Sequence, residues 1–147
     1  MKNPKIHYYI AGIGNKEEYL KKLANELNVH LHLLGYREDI PELLMSADLF
    51  AFPSYREGLS VALMEAMAAG LPCVVSNIRG DVDLIQDGKG GFLCNPQSIL
   101  EFSRATDYFF TNKRECAQMS EYNLKHIKNF ASGKVEKLMR WIYFENI

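Results

Sequence analysis

Apolar positions along this chain switch repeatedly between two spacings. Residues 6–11, IHYYIA, are β-branched and aromatic and run into Gly12-Ile13-Gly14-Asn15, which predicts a strand closed by a tight turn. Over residues 16–28, Tyr19, Leu20, Leu23, Ala24 and Leu27 recur at helical spacing. Residues 29–34 read as a second strand. Residues 39–46 read as a short helix, with Asp39 as N-cap and Pro41 in the first turn. A third strand over residues 48–52 is stopped by Pro53-Ser54. A helix follows from about Ser60 to Ala69 and is ended by Gly70 and Pro72. Residues 73–76 predict a fourth strand and residues 80–85 a short helix. Gly88-Lys89-Gly90-Gly91 predicts a turn, and Phe92-Leu93 a short strand. From about residue 97 the pattern is that of two or three helices.

Strands alternating with helices imply a parallel sheet of βαβ units with right-handed crossovers. The strands are short and apolar on both faces, as expected when helices cover both sides. The fold class is therefore α/β: a Rossmann-like parallel sheet with helices on both faces and a helical C-terminal tail. No internal repeat, low-complexity segment or linker interrupts residues 1–147, which predicts a single domain. Ligands of such sheets sit beyond the carboxyl ends of the strands. Three loops occupy that edge: residues 12–15, 35–39 and 53–60.

The third loop opens into REGLSVALMEAMAAG, where Glu65 is the one charged residue between Glu57 and Arg79. The helix from Ser60 shows no polar face, the signature of a buried helix. A carboxylate there is costly unless it is paired or hydrogen-bonded, so Glu65 is expected to have a definite partner, in the protein or in a ligand. Gly58, Leu59 and Ser60 put unpaired backbone N–H groups at a helix N-terminus, which makes an anion site suited to phosphate. Glu57 beside it would repel phosphate, so its useful partner is a neutral group with several donors, such as sugar hydroxyls. Glu65 lies eight residues on, roughly 12 Å along the helix axis. Two carboxylates flanking a phosphate site at that spacing suit the two ends of a nucleotide sugar. Against this stands a plainer reading, in which Glu57 favours the helix N-terminus and Glu65 pairs with Arg79 or Arg37.

Composition narrows the classes. The chain has 147 residues, 48% hydrophobic and 24% charged, with a net charge of −1, so nothing favours non-specific binding to nucleic acid or anionic membrane. No apolar run approaches the roughly 18 residues that span a bilayer, and the first residues show no signal peptide. Cys73, Cys94 and Cys116 match neither a disulfide framework nor a zinc pattern and read as reduced thiols. His30 and His32 share one strand face but lack an evident third ligand, so no metal is expected. Gly12-Ile13-Gly14 is half of a dinucleotide motif and serves the turn, although its loop lies at the binding edge. Ser54 has no obvious base, and Gly58-Leu59-Ser60-Val61-Ala62 is no nucleophile elbow because its fifth residue is Ala. Lys113-Arg114, Lys125 and Lys128 read as a solvated helix face. Trp141, Tyr143 and Phe144 form an aromatic cluster, either core or an exposed docking patch.

An ordered series of motifs from Leu33 to Pro96 resembles the C-terminal, donor-binding domain of GT-B glycosyltransferases of family GT4 (glycosyl transferases group 1). It comprises Leu34-Gly35-Tyr36 with Asp39-Ile40, then Met45-Ser46-Ala47-Asp48-Leu49-Phe50-Ala51-Phe52-Pro53-Ser54. Glu57-Gly58-Leu59 and Glu65-Ala66-Met67-Ala68-Ala69-Gly70-Leu71-Pro72-Cys73-Val74 follow, and Asp87-Gly88 and Gly91-Phe92-Leu93 complete it. Its marker, two glutamates separated by seven residues, is met by Glu57 and Glu65. The resemblance implies that Glu57 contacts the donor sugar and acts in catalysis, that Glu65 holds the ribose hydroxyls, and that the N–H groups of Gly58, Leu59 and Ser60 face the diphosphate. It places Gly35, Tyr36 and Arg37 near the base and, more weakly, Gly12 and Gly14 in the first glycine loop. It implies retaining transfer without a metal or cofactor, with stabilisation of the leaving diphosphate as the main catalytic term.

The resemblance departs from the family at the N-terminal side. The acceptor-binding domain and the first βα unit, with its diphosphate-clamping arginine and lysine, are not matched, and Lys2 and Lys5 do not sit in that motif. The expectation is a fragment that binds donor weakly and is inactive alone. The implied partners are a nucleotide sugar, the missing N-terminal domain and its saccharide or lipid acceptor, with self-association through an exposed domain face. The implied setting is polysaccharide, capsule or glycolipid assembly by a cytoplasmic protein, peripheral to the inner membrane face when full-length. Two other classes remain as alternatives. A nucleotide-sugar 2-epimerase-like protein on the same fold would carry a different acidic and histidine set. A receiver-like interaction module would need an acidic cluster after the first strand, where this chain has Gly12-Ile13-Gly14-Asn15.

Overall fold

The structure, a computed structural model, describes residues 6–131, 133 and 134. Lys2, Lys5, Trp141, Tyr143 and Phe144 lie outside the described residues. The chain groups into two compact units, Met1–Ile40 and Pro41–Ile147.

In the first unit, β1 (His7–Ala11), α1 (Glu17–Leu27) and β2 (His30–Gly35) form one βαβ element. The strands are parallel, with His7 opposite His30 and Tyr9 opposite His32. Glu17 and Glu18 occupy the first turn of α1, where the helix dipole favours acids. Asn28 ends the helix in the left-handed region at φ 52°, a conformation asparagine tolerates better than most residues. Asp39 stands immediately before α2 (Ile40–Met45), at the expected N-cap position, and its carboxylate is held by the Arg37 guanidinium, with Nε donating to Oδ1 at 2.7 Å. That hydrogen bond holds the Asp39 carboxyl below its ordinary range.

The second unit contains β3 (Phe50–Phe52), α3 (Val61–Ala68), β4 (Cys73–Ser76), α4 (Asp81–Leu84), β5 (Gly91–Cys94), α5 (Ile99–Thr111) and α6 (Lys113–His126), followed by a 3₁₀ turn at Ile127–Phe130. The three strands make a parallel sheet in the order β3-β4-β5. Every residue of β4 is buried. Because strand side chains alternate, Cys73 and Val75 enter one cluster with Leu63, Ala66, Met67, Leu71, Leu84 and Ile85. Val74 enters the opposite cluster with Cys94, Ala105, Phe109 and Met119. Helices therefore cover both faces of this sheet, and the continuous apolar run of β4 follows from that. Burying a side chain such as Leu63 stabilises by about 1.5–3 kcal/mol. Cys73, Cys94 and Cys116 are free thiols, and burial pushes the Cys94 thiol up to about 11. Among the described residues no helix is long and apolar enough to cross a membrane.

Candidate functional site

Chain direction brings the ends of β3 and β4 to the same edge of the three-stranded sheet, because the strands are parallel. The loop leaving β3 is organised by a local hydrogen bond. Ser54 Oγ donates to Glu57 Oε1 at 2.7 Å, which half-buries the glutamate and fixes one carboxylate oxygen. Among the described residues this is the one hydrogen bond of the Glu57 carboxylate. The loop then enters α3 through a well-formed N-cap. Ser60 is extended (φ −76°, ψ 109°), and its Oγ accepts from the Leu63 N–H at 3.3 Å. Its carbonyl accepts from the Met64 N–H at 3.1 Å. The N–H groups of Gly58, Leu59, Val61 and Ala62 find no acceptor among the described residues. Gly58 and Leu59 are exposed. Several oriented donors at the positive end of a helix face outward beside one carboxylate, an arrangement that can hold an anion carrying a hydroxylated group.

The segment after β4 closes over the same loop. Gly80 has φ 95°, and a Cβ there would fall 1.7 Å from the Gly58 carbonyl oxygen. The start of α4 thus lies directly on the backbone that carries Glu57. Asp81 follows, fully buried, with neither carboxylate oxygen hydrogen-bonded. Burial first, and the Glu57 charge second, push its carboxyl up to about 6. Ser76 Oγ, at the end of β4, is also buried without a partner. The parts that Ser54, Ser76, Gly80 and Asp81 play here escaped the sequence reading. The Ser-x-x-Glu spacing of Ser54 and Glu57, which is that of a capping box, was a usable signal for the first. Nothing local marks Asp81 as buried.

This burial has a consequence for stability. From the carboxyl's ordinary 3.8 up to about 6 the folded chain holds a proton that the unfolded chain releases. The stabilisation is complete below the lower value and is lost as pH rises through the upper one. A gap of that size corresponds to about 3 kcal/mol. Asp81→Asn, which keeps the shape without the charge, is expected to stabilise by about 1–3 kcal/mol at pH 7.5 and much less at pH 4, read from urea midpoints. Equal effects at both pH values would contradict the assignment.

Glu65 departs from expectation. The helix is buried on one side only: Leu63, Ala66 and Met67 face the core, while Val61, Glu65 and Ala68 are exposed. Residues 61, 65 and 68 fall on one stripe at helical spacing, so an apolar composition hid a solvent face. Within its own unit Glu65 makes no ion pair or hydrogen bond among the described residues, so pairing with Arg79 does not occur there. No internal partner is needed, because the carboxylate is hydrated.

The remaining sequence candidates lie in the first unit. Gly12 N–H donates to the Gly35 carbonyl at 2.7 Å, and both glycines have positive φ (133° and 65°). This closes the ends of β1 and β2 together. Gly14 is exposed, Tyr36 is 72% exposed, and Arg37 is engaged with Asp39. On the other face of the idea, His32 has a neighbour that the sequence reading missed: His7 Nδ1 and His32 Nε2 lie 3.0 Å apart, and the His7 ring also stacks on His30. Parallel pairing in register brings these imidazoles together. Among the described residues no group of three or more His, Cys, Asp or Glu is placed to hold a metal.

Comparison with known proteins gives a consistent picture. The sequence profile described as glycosyl transferases group 1 matches residues 1–126. The UDP-Gal:alpha-D-GlcNAc-diphosphoundecaprenol alpha-1,3-galactosyltransferase of Escherichia coli is 39% identical over 105 residues, covering 69% of this chain and 27% of its own. The N-acetyl-alpha-D-glucosaminyl L-malate synthase of Bacillus anthracis is 34% identical over 138 residues, covering 90% of this chain and 36% of its own. Anabaena HepE, solved in complex with UDP-glucose, shares the fold with a TM-score of 0.79 at 23% identity, over 93% of this chain and 42% of that one. The chain spans about a quarter to two fifths of the length of the curated relatives it first matches.

Proposed function

The chain belongs to the glycosyl transferases group 1, and from that premise we propose that it binds the nucleotide-diphosphate sugar donor of a retaining glycosyltransferase. The observation that carries this reading is the start of α3, where unpaired N–H groups adjoin a Glu57 carboxylate held by Ser54. The diphosphate sits on the N–H groups of Gly58, Leu59 and Ser60. Glu57 accepts hydroxyls of the donor sugar, and the hydrated, partnerless Glu65 accepts the ribose hydroxyls. Gly12, Gly14, Gly35, Tyr36 and Arg37 complete the donor-binding set on the strength of the motif series.

In transfer, negative charge grows on the leaving diphosphate as the glycosidic bond breaks. Fixed N–H dipoles stabilise that charge without reorganising, so the reading uses no metal. Glu57 contributes by holding the sugar so that the anomeric carbon meets the acceptor. The whole protein then transfers sugar in polysaccharide, capsule or glycolipid assembly, with the acceptor bound outside this chain. The Escherichia coli relative is named for a UDP-sugar donor and a polyprenyl-diphosphate saccharide acceptor, and HepE holds UDP-glucose. UDP-sugars are therefore the donors to test first.

A ligand-observed NMR panel of UDP, GDP, ADP and their sugar conjugates checks this on the chain itself. Selective binding of one nucleotide class is expected. Glu65→Ala is expected to weaken it about tenfold to hundredfold, since hydrogen bonds to a charged acceptor are worth about 1.5–3 kcal/mol. Affinity unchanged in Glu65→Ala would remove Glu65 from the site.

A further inference from the structure

Asp81 is the buried titratable group that the donor-site reading leaves unused. It is wholly inaccessible and has no hydrogen-bond partner at either oxygen. It stands immediately after Gly80, whose backbone touches the Gly58 carbonyl. It is therefore joined through one rigid contact to the residues that would hold the sugar and diphosphate. We propose that Asp81 is a positioning residue for Glu57: a buried acid that carries a proton in the donor-binding state, so that the pocket beside α3 holds one negative charge rather than two.

The reasoning rests on which state the surroundings tolerate. A buried, unpartnered carboxylate is strongly disfavoured, whereas the neutral acid is not. The titratable groups facing Asp81 are Glu57, from the loop entering α3, and the Cys73 thiol of β4. Arg79 before α4, Asp83 on α4 and Glu65 on α3 are exposed. No cation among these is buried with Asp81 to compensate its charge. When Asp81 ionises, its charge opposes Glu57 and the diphosphate at the α3 N-terminus together. Donor binding then weakens as pH rises through about 6, the value to which burial and Glu57 push the carboxyl. Because Asp81 has no surface of its own, it acts through Glu57 and the loop rather than by touching ligand.

This proposal rests on the donor-site reading, and two measurements keep the two apart. The first needs no ligand. In the full chain labelled with ¹³C at Asp and Glu carboxyls, Asp81 is expected to titrate near pH 6, with the Glu57 resonance responding in the same step. In Asp81→Asn that step in Glu57 disappears. Titration of Asp81 below pH 5, or a Glu57 curve unchanged in Asp81→Asn, overturns the proposal and leaves the donor reading standing. The second is the affinity for UDP-glucose, whose diphosphate does not titrate between pH 5 and 8. Wild type is expected to bind several-fold more tightly at pH 5.5 than at 7.5. Asp81→Asn is expected to bind with the tighter affinity at both. Parallel pH profiles in the two proteins overturn the positioning role, and no binding to any nucleotide sugar by either protein removes the donor reading and this proposal together.

Discussion

Gly80→Ala is expected to destabilise the chain by more than about 4 kcal/mol, enough to leave a marginal domain largely unfolded. Two costs add. The backbone at Gly80 has φ 95°, a region that costs an L-residue about 1–2 kcal/mol. The new Cβ would also sit 1.7 Å from the Gly58 carbonyl oxygen and 2.8 Å from its carbon. The obstacle is backbone and has no rotamer through which to retreat, so the loop carrying Glu57 and Gly58 must move. The variant should therefore lose donor binding along with stability. Gly88→Ala is the control. Its φ is 73°, but a Cβ there meets nothing within 4 Å, so it should cost only about 1 kcal/mol. Urea unfolding of both variants decides the matter, and equal midpoints would mean that the Gly80–Gly58 contact does not hold the site.

Asn123→Ala is expected to cost about 3–5 kcal/mol. Asn123 lies in α6, is fully buried, and its Nδ2 donates to the Leu71 and Gly90 carbonyls, each at 2.7 Å. Those carbonyls belong to the turns that lead into β4 and β5. One amide thus ties a helix to two adjacent strands of the parallel sheet. Truncation removes both bonds and leaves the Leu71 carbonyl with only the weak Cys73 thiol donor, at about 1–3 kcal/mol; the Gly90 carbonyl keeps the Cys73 N–H and loses less, and a small cavity opens besides. Gly90 matches the arrangement, since a Cβ there would fall 2.2 Å from Asn123 Oδ1. Thermal and urea unfolding should both register the loss. A change below about 0.5 kcal/mol would show that water replaces the amide without penalty.

Much of the fold was legible because its signals are short-range. The apolar run of residues 73–76, bounded by Pro72 and a turn, matches β4 residue for residue. The start of α3 near Ser60 and its glycine end were readable because they follow from hydrogen bonds that span three or four residues. The Glu57–Glu65 series was readable for the same reason, as was the family to which the chain belongs. Asp39 shows the boundary of such reasoning. Its place just before α2 was readable, but its carboxylate is bound by Arg37, two residues away, in a bidentate pair.

What sequence alone determined, then, is the alternation of strands and helices, the donor-rich start of α3, and the placing of two glutamates around it. Only the tertiary structure decided that Glu65 is hydrated, that Asp81 is sealed beside Glu57, and that Gly80 bears on Gly58. The Asn123 bridge across 52 and 33 residues belongs with these. The physical reason is range. Backbone geometry and caps are set by neighbours a few residues away. Burial, and with it the charge state of a carboxyl, is set by whichever distant surface folds over it. The sequence therefore carries the spacing of Glu57 and Glu65 around a helix N-terminus, while the charge state of Asp81 beside it belongs to the packing.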